Sequence, residues 1–214
     1  MTKYAIVLDT ETANSMDDPM AYDIGWAVVD LETEKIIKTE SYAIAEIFTM
    51  PSFMTTAYYA QKIPQYWHEI QEGTRKLARL YTVRQALMTD CNIFGVTEIY
   101  AHNASFDYRA CQKTQRYTTC SAWRWFFPYG ITICDTLKMA RKAFNTASYG
   151  VFCATNGYLT KRGQCKYTAE ILYRYITKDN DFVEQHKGID DVLIETQILF
   201  ECRRRGVTNG ALWE

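Results

Sequence analysis

Three short stretches of the chain carry residue types able to bind hard cations and to move a proton. The first is Asp9-Thr10-Glu11-Thr12. Side chains alternate along an extended strand, so Asp9 and Glu11 share one face, at the end of the apolar run Tyr4-Ala-Ile-Val-Leu8. Two carboxylates ending a buried strand need a partner, and the natural one is a divalent cation that prefers oxygen ligands. The same Asp-x-Glu spacing recurs at Asp30-Leu31-Glu32, where the setting reads as a hairpin turn instead.

The second stretch runs from Ala101 through His102, Asn103 and Ser105 to Phe106-Asp107. It reads as a short strand, a polar loop and a helix opening on an acid. Taken alone, Asn103 or Ser105 would serve as a helix cap and Asp107 would complement the helix dipole. The third stretch is His186-Lys-Gly-Ile-Asp190-Asp191, opening the last helix. A histidine titrates near neutrality and suits a base that takes a proton from water. A polar, solvated helix start accounts for the same residues equally simply, and helical spacing does not choose between Asp190 and Asp191.

These segments need elements to position them. Residues 3–8, 24–30 and 35 to about 43 read as three strands joined by short connections, an antiparallel meander. Short strands at 98–101 and 130–134 alternate with helices at 82–93, from near 105, at 135–144, at 168–177 and at 189–205, with Gly206 as a stop. Strands first and strand–helix units afterwards predict an α/β domain: a mixed five-stranded sheet flanked by helices. One domain over residues 1–214 is expected. The aromatic stretch at about 46–81 reads as a helical insertion over one face, and 146–185 is unusual in its tyrosines and in Cys153 and Cys165.

Composition narrows the classes further. The chain has 214 residues, 48% hydrophobic and 23% charged, enough apolar material for a core and against disorder. No run of about 18 apolar residues appears, so no membrane-spanning helix is expected. The first apolar run is broken by Asp9 before a signal-peptide core could form. Seven cysteines without a Cys-x-x-Cys pair point to reduced thiols in a cytoplasmic protein and away from a zinc site. The net charge of −1 hides an asymmetry: between Tyr108 and Ala169 ten bases face a single acid, Asp135. That segment is read either as a solvated basic face or as a stripe that attracts phosphates.

Read in chain order, the three segments give Asp-x-Glu on a first strand, Asn-x-x-Phe-Asp after a later strand, and His-x-x-x-x-Asp at a terminal helix. This constellation resembles the DEDDh branch of the DnaQ-like 3′→5′ exonucleases, which have a ribonuclease H-like fold. The resemblance extends from Tyr4 to about Glu201, and includes Ile24-Gly25 and Cys134-Asp135-Thr136-Leu137 between the motifs. It implies that Asp9, Glu11, Asp107 and Asp191 hold two divalent cations, Mg²⁺ or Mn²⁺, and that His186 is the general base. The family's five-residue step from the histidine selects Asp191 over Asp190. It also implies a nucleic-acid substrate with a single-stranded 3′ end, DNA or RNA, cut to nucleoside 5′-monophosphates. Phe106 would stack on the terminal base, with Thr10 and Thr12 near the terminal sugar and Asn103 close by. The family includes homodimers and polymerase-bound monomers. A non-catalytic nucleic-acid-binding or polymerase-docking module on the same fold is the alternative.

Overall fold

The computed structural model describes residues 3–184 and 187–213. Its centre is a six-stranded sheet built from β1 (Tyr4–Ser15), β2 (Asp18–Asp30), β3 (Lys35–Ile44), β4 (Lys76–Ala78), β5 (Glu98–Ala101) and β6 (Thr132–Asp135), in the order β4-β3-β2-β1-β5-β6. The first three strands are antiparallel neighbours, while β5 runs parallel to β1, β6 to β5, and β4 to β3.

Both faces of the sheet are covered, which is why β1 and β2 read as near-continuous apolar runs. Ile6, Leu8, Ile24, Trp26 and Val28 point to one side. There they meet α4 (Leu80–Phe94) and α5 (Ala104–Thr119) through Val83, Leu87, Ala110 and Cys111. Ala5, Val7, Ala27 and Val29 point to the other. That side is closed by α6 (Thr136–Ala143), α7 (Ala147–Thr155), α8 (Ala169–Thr177) and α9 (Gly188–Arg204). Before β4 the chain forms α1 (Ala45–Phe48), α2 (Pro51–Met54) and α3 (Ile63–Gln71). Gly206, at φ +80°, follows the end of α9, as its place in the sequence predicts.

Three features differ from the sequence reading. The sheet has six strands, not five: β4 lies inside the stretch read as a helical insertion. It is a three-residue edge strand, too short to show a period of two. Second, α7 is a helix over a segment where the sequence reading placed no element. Third, β1 does not end at Leu8 but runs on to Ser15 and pairs with β2 to Asp18. The polar residues past Leu8 look like a strand end, but residues 56–58 cover them. Thr56 Oγ1 accepts the Asn14 N–H at 2.8 Å, and Tyr58 N–H reaches the Thr12 carbonyl at 3.4 Å. The spare Asp-x-Glu behaves as a turn: Asp30 Oδ1 accepts the N–H groups of Glu32 and Thr33 at 2.9 and 3.0 Å.

Candidate active site

Asp9 and Glu11 sit in the central strand β1, where a register shift against β2 falls between Glu11 and Thr12. Opposite Asp9 in that ladder is Gly25. The first turn of α9 lies directly on Gly25: a Cβ there would come within 2.6 Å of the Gly188 carbonyl carbon and 2.7 Å of the Ile189 nitrogen. A glycine at position 25 allows this approach, and it brings the buried Asp191 of α9 down to β1. Carboxylate oxygens of Asp9, Glu11 and Asp191 lie within 4.8 Å of one another. Asp190 is turned away, 40% exposed at its side chain and 4.0 Å from Lys187 Nζ.

A buried ionic knot anchors the start of α9. Asp23, fully buried on β2, accepts the Gly188 N–H at 3.2 Å, which satisfies one of the N–H groups left open at a helix start. Its carboxylate also accepts from Tyr66 Oη and Arg75 Nη1, each at 2.6 Å. Arg75 Nε donates to Glu69 at 2.8 Å, and Glu69 in turn pairs with Lys187 at 2.6 Å. The 46–81 segment is therefore bolted to the helix that carries Asp191.

Asp107 enters from α5. Its Oδ1 accepts both the Thr10 hydroxyl at 2.8 Å and the Thr10 N–H at 3.2 Å, which fixes it beside β1. Asn103, the residue before α5, has a left-handed backbone (φ 68°, ψ 46°) and makes no side-chain cap. Its N–H donates to Asp135 Oδ1 at 3.1 Å, so the turn is held from β6 and the exposed amide is left facing a cavity. A non-glycine residue in this region marks a local cost that the surrounding contacts sustain.

This cavity, about 1230 Å³, contains Asp9, Glu11, Asp107 and Asp191 together. Thr10, Asn103 and Phe106 line it as well, whereas half-buried Thr12 does not. His186 lies outside the described residues. His102 is a wall residue with both ring nitrogens engaged, Nε2 on the Tyr167 carbonyl at 2.7 Å and Nδ1 on Thr136 Oγ1 at 3.0 Å. A carbonyl only accepts, so Nε2 carries the proton, and burial lowers the pKa of the ring.

The structure adds residues the motifs missed. Glu195, one helical turn after Asp191, is buried in the same cavity and accepts the His102 N–H at 3.1 Å. Tyr59 and Glu184 line it too. For Glu195 the four-residue step from Asp191 was available as a signal; for Tyr59 nothing local was.

The electrostatics are those of crowded anions. Burial, reinforced by Glu195, Asp107, Asp191 and Glu11, holds the Asp9 carboxyl well above the usual range. Burial, with Asp191 next, pushes Glu11 up to about 9. Asp107 rises to about 7 through burial, against the opposing pull of its Thr10 hydrogen bonds. Glu195 is raised strongly for the same reason, and burial lifts Glu184 to about 7. Such a set is stabilised in its charged form only by cations, and an all-oxygen donor set suits Mg²⁺ or Mn²⁺.

The bases of the central segment have different surroundings. Lys113 pairs with Asp18 at 2.5 Å, and Arg116 and Arg109 lie over the rings of Trp125 and Phe106. Arg141 and Lys166 line the acidic cavity on its far side.

Comparison of the sequence with protein families and with curated proteins gives no match. Solved structures do match. The nuclease domain of 3′hExo, described as a DEDDh family member and bound to rAMP, superposes with a TM-score of 0.67. Identity is 9%, covering 100% of this chain and 98% of that one. Cell-death related nuclease 4 (CRN-4) gives 0.56 at 11% identity, covering 98% of this chain and 66% of that one. E. coli Exonuclease I with a dA16 oligonucleotide gives 0.56 at 13% identity. There the match covers 95% of this chain, which spans 41% of the longer enzyme. The chain has the ribonuclease H-like fold of the DnaQ-like exonucleases. Among the described residues, no helix is long and apolar enough to cross a membrane.

Proposed function

We propose that the protein is a 3′→5′ exonuclease that hydrolyses phosphodiester bonds at nucleic-acid 3′ ends and releases nucleoside 5′-monophosphates. The observation that carries this reading is the convergence of Asp9, Glu11 and Asp191 within 4.8 Å, with Asp107 in the same cavity. A binding module for a polyanion has no use for four carboxylates where the phosphate must come. Solved neighbours described as nucleases bound to rAMP and to dA16 support a nucleic-acid end as the occupant.

Asp9, Glu11 and Asp191 would hold one divalent cation, and Asp9 with Asp107 a second. Such cations supply Lewis acidity, easing deprotonation of the attacking water and offsetting charge on the leaving 3′-oxygen. Thr10 orients Asp107 through its two hydrogen bonds, a supporting role in addition to the sugar contact expected of it. Phe106 offers a half-buried ring for stacking on the terminal base, and Asn103 an exposed amide for the terminal nucleotide. Thr12 would reach substrate only beyond the cavity wall. His186 would take the water's proton in its neutral form.

Digestion of matched single- and double-stranded DNA and RNA oligonucleotides, with Mg²⁺ and then with EDTA, tests the proposal. Stepwise shortening from the 3′ end, abolished by EDTA, with a circular single strand left whole, is expected. Cutting of the circle would mean an endonuclease. Binding without any cutting would mean a non-catalytic module.

A further inference from the structure

A second cavity, about 340 Å³, adjoins the first and is lined by Lys138, Arg141, Lys142, Asn209, Gly210 and Ala211. Arg141 lines both cavities, so one side chain stands between them. Residues 138, 141 and 142 stand three and four apart on α6 and share its exposed face. No carboxylate pairs with any of the three among the described residues. Two of them fall in the last turn of α6, where cations complement the helix dipole. That accounts for their charge, but not for the cavity they surround.

Its floor is built by close packing. The backbone of Gly210 lies against α6, where a Cβ would come within 2.8 Å of Met139 Sδ, and the Gly210 carbonyl accepts the Asp135 N–H at 2.7 Å. Asn209 Oδ1 is taken by the Ala211 N–H at 3.0 Å, which leaves its amide NH₂ as the free end. The Gly210 carbonyl and Asn209 Oδ1 are thus each engaged internally, and Lys138, one of whose protons goes to the Leu212 carbonyl at 3.1 Å, retains two more. The side chains left around the cavity offer donors, three of them cationic. Asp135, which caps α6 through the Leu137 N–H at 2.8 Å, also holds Asn103. The basic face and the acidic cavity are therefore rigidly related.

We propose that this pocket is an anion site for a backbone phosphate of the substrate strand, upstream of the bond being cut, with Arg141 bridging the two cavities. The inference rests on the exonuclease reading for its direction, because a strand entering by its 3′ end leaves its 5′ portion outside the acidic cavity. The division of charge fits: carboxylates gather cations where the bond breaks, and unpaired bases hold the phosphates that follow.

The test is binding of 5′-labelled single-stranded oligonucleotides of increasing length, followed by anisotropy in EDTA so that nothing is cut. Wild-type affinity should rise with length until the strand reaches the pocket. Lys142→Gln and Arg141→Gln should each weaken binding of long strands about two- to fivefold, the range of one exposed charge pair. Each should also reduce the slope of log Kd against log salt by about 0.7. Lys35→Gln, the same charge change on β3 across the sheet, should do neither. Equal effects of Lys142→Gln and Lys35→Gln would overturn the site, as would a wild type whose affinity ignores strand length. Because this assay needs no catalysis, a protein that binds through Lys142 and cuts nothing would uphold the site and refute the nuclease.

Discussion

Gly25 of β2 and Gly188 of α9 meet backbone to backbone, and this contact sets the distance between Asp9 and Asp191. A Cβ on Gly25 would lie 2.6 Å from the Gly188 carbonyl carbon, with no flexible side chain able to yield. Gly25→Ala should therefore lift α9 from the sheet and cost about 1–3 kcal/mol, the usual range for overpacking. The diagnostic part is a loss of Mn²⁺-induced stabilisation beyond the loss of Tm. Unfolding the variant with and without Mn²⁺ measures both.

The crowded carboxylates make metal-free stability depend on pH in a stated direction. Asp107 at about 7 and Glu11 at about 9 lie above the value of about 4 for carboxylates in an unfolded chain. The fold thus holds protons that the unfolded chain has released. Their contribution is present in full below about pH 4 and fades as pH rises through 7 and then 9. In EDTA the Tm should fall between pH 6 and pH 9 by way of these groups, at about 1.4 kcal/mol per pH unit for each proton held. Saturating Mg²⁺ should restore more stability at the upper end than at the lower. Thermal melts across that range, with and without the ion, give the answer; a metal effect that shrinks as pH rises would count against a cation site.

Thr10 reads differently in the sequence and in the fold. As a motif residue it stands between two acids; in the structure its hydroxyl and N–H both hold Asp107. Thr10→Val keeps the shape and removes the hydroxyl. Nuclease activity should fall about 10- to 100-fold, the scale for groups that orient metal ligands, and Thr10→Ser should recover most of it. Steady-state rates on a single-stranded oligonucleotide for the three proteins decide the matter.

Arg75 is 3% exposed at its side chain and is the buried cationic partner of Asp23. Arg75→Met would leave a carboxylate stranded at the foot of α9, and breaking one partner of a buried pair costs about 3–5 kcal/mol. Urea unfolding should show that loss. Arg75→Lys should recover little of it, because one ammonium cannot reproduce the separate bonds to Asp23, Ser41 and Glu69.

The parts of the site legible in the sequence were those whose geometry is local. Asp9 with Glu11 follows from strand alternation; the strand–loop–helix pattern puts Asp107 only at a helix start, and its place among the metal-holding acids came from the family resemblance. Selection of Asp191 over Asp190 came from a family spacing, and α9 buries the first while leaving the second near Lys187. What stayed hidden depends on distant packing. β1 continues past Asp9 because residues 56–58 shelter its polar half, and Tyr59 reaches the cavity through that same segment. β4 carries too few residues for any period to register. The sequence left the basic segment as either a solvated face or a stripe, because net charge cannot show that Lys113 is bound to Asp18 while Arg141 and Lys142 are not paired with any acid among the described residues.

Four carboxylates far apart in the chain are proposed to form one cation site. Anomalous diffraction from crystals soaked in Mn²⁺ tests it most directly. A peak bounded by Asp9, Glu11 and Asp191 is expected, with a second on the Asp107 side of Asp9, and neither in Asp9→Asn. A saturated crystal with no peak at these residues, or the same peaks after Asp9→Asn, would contradict it.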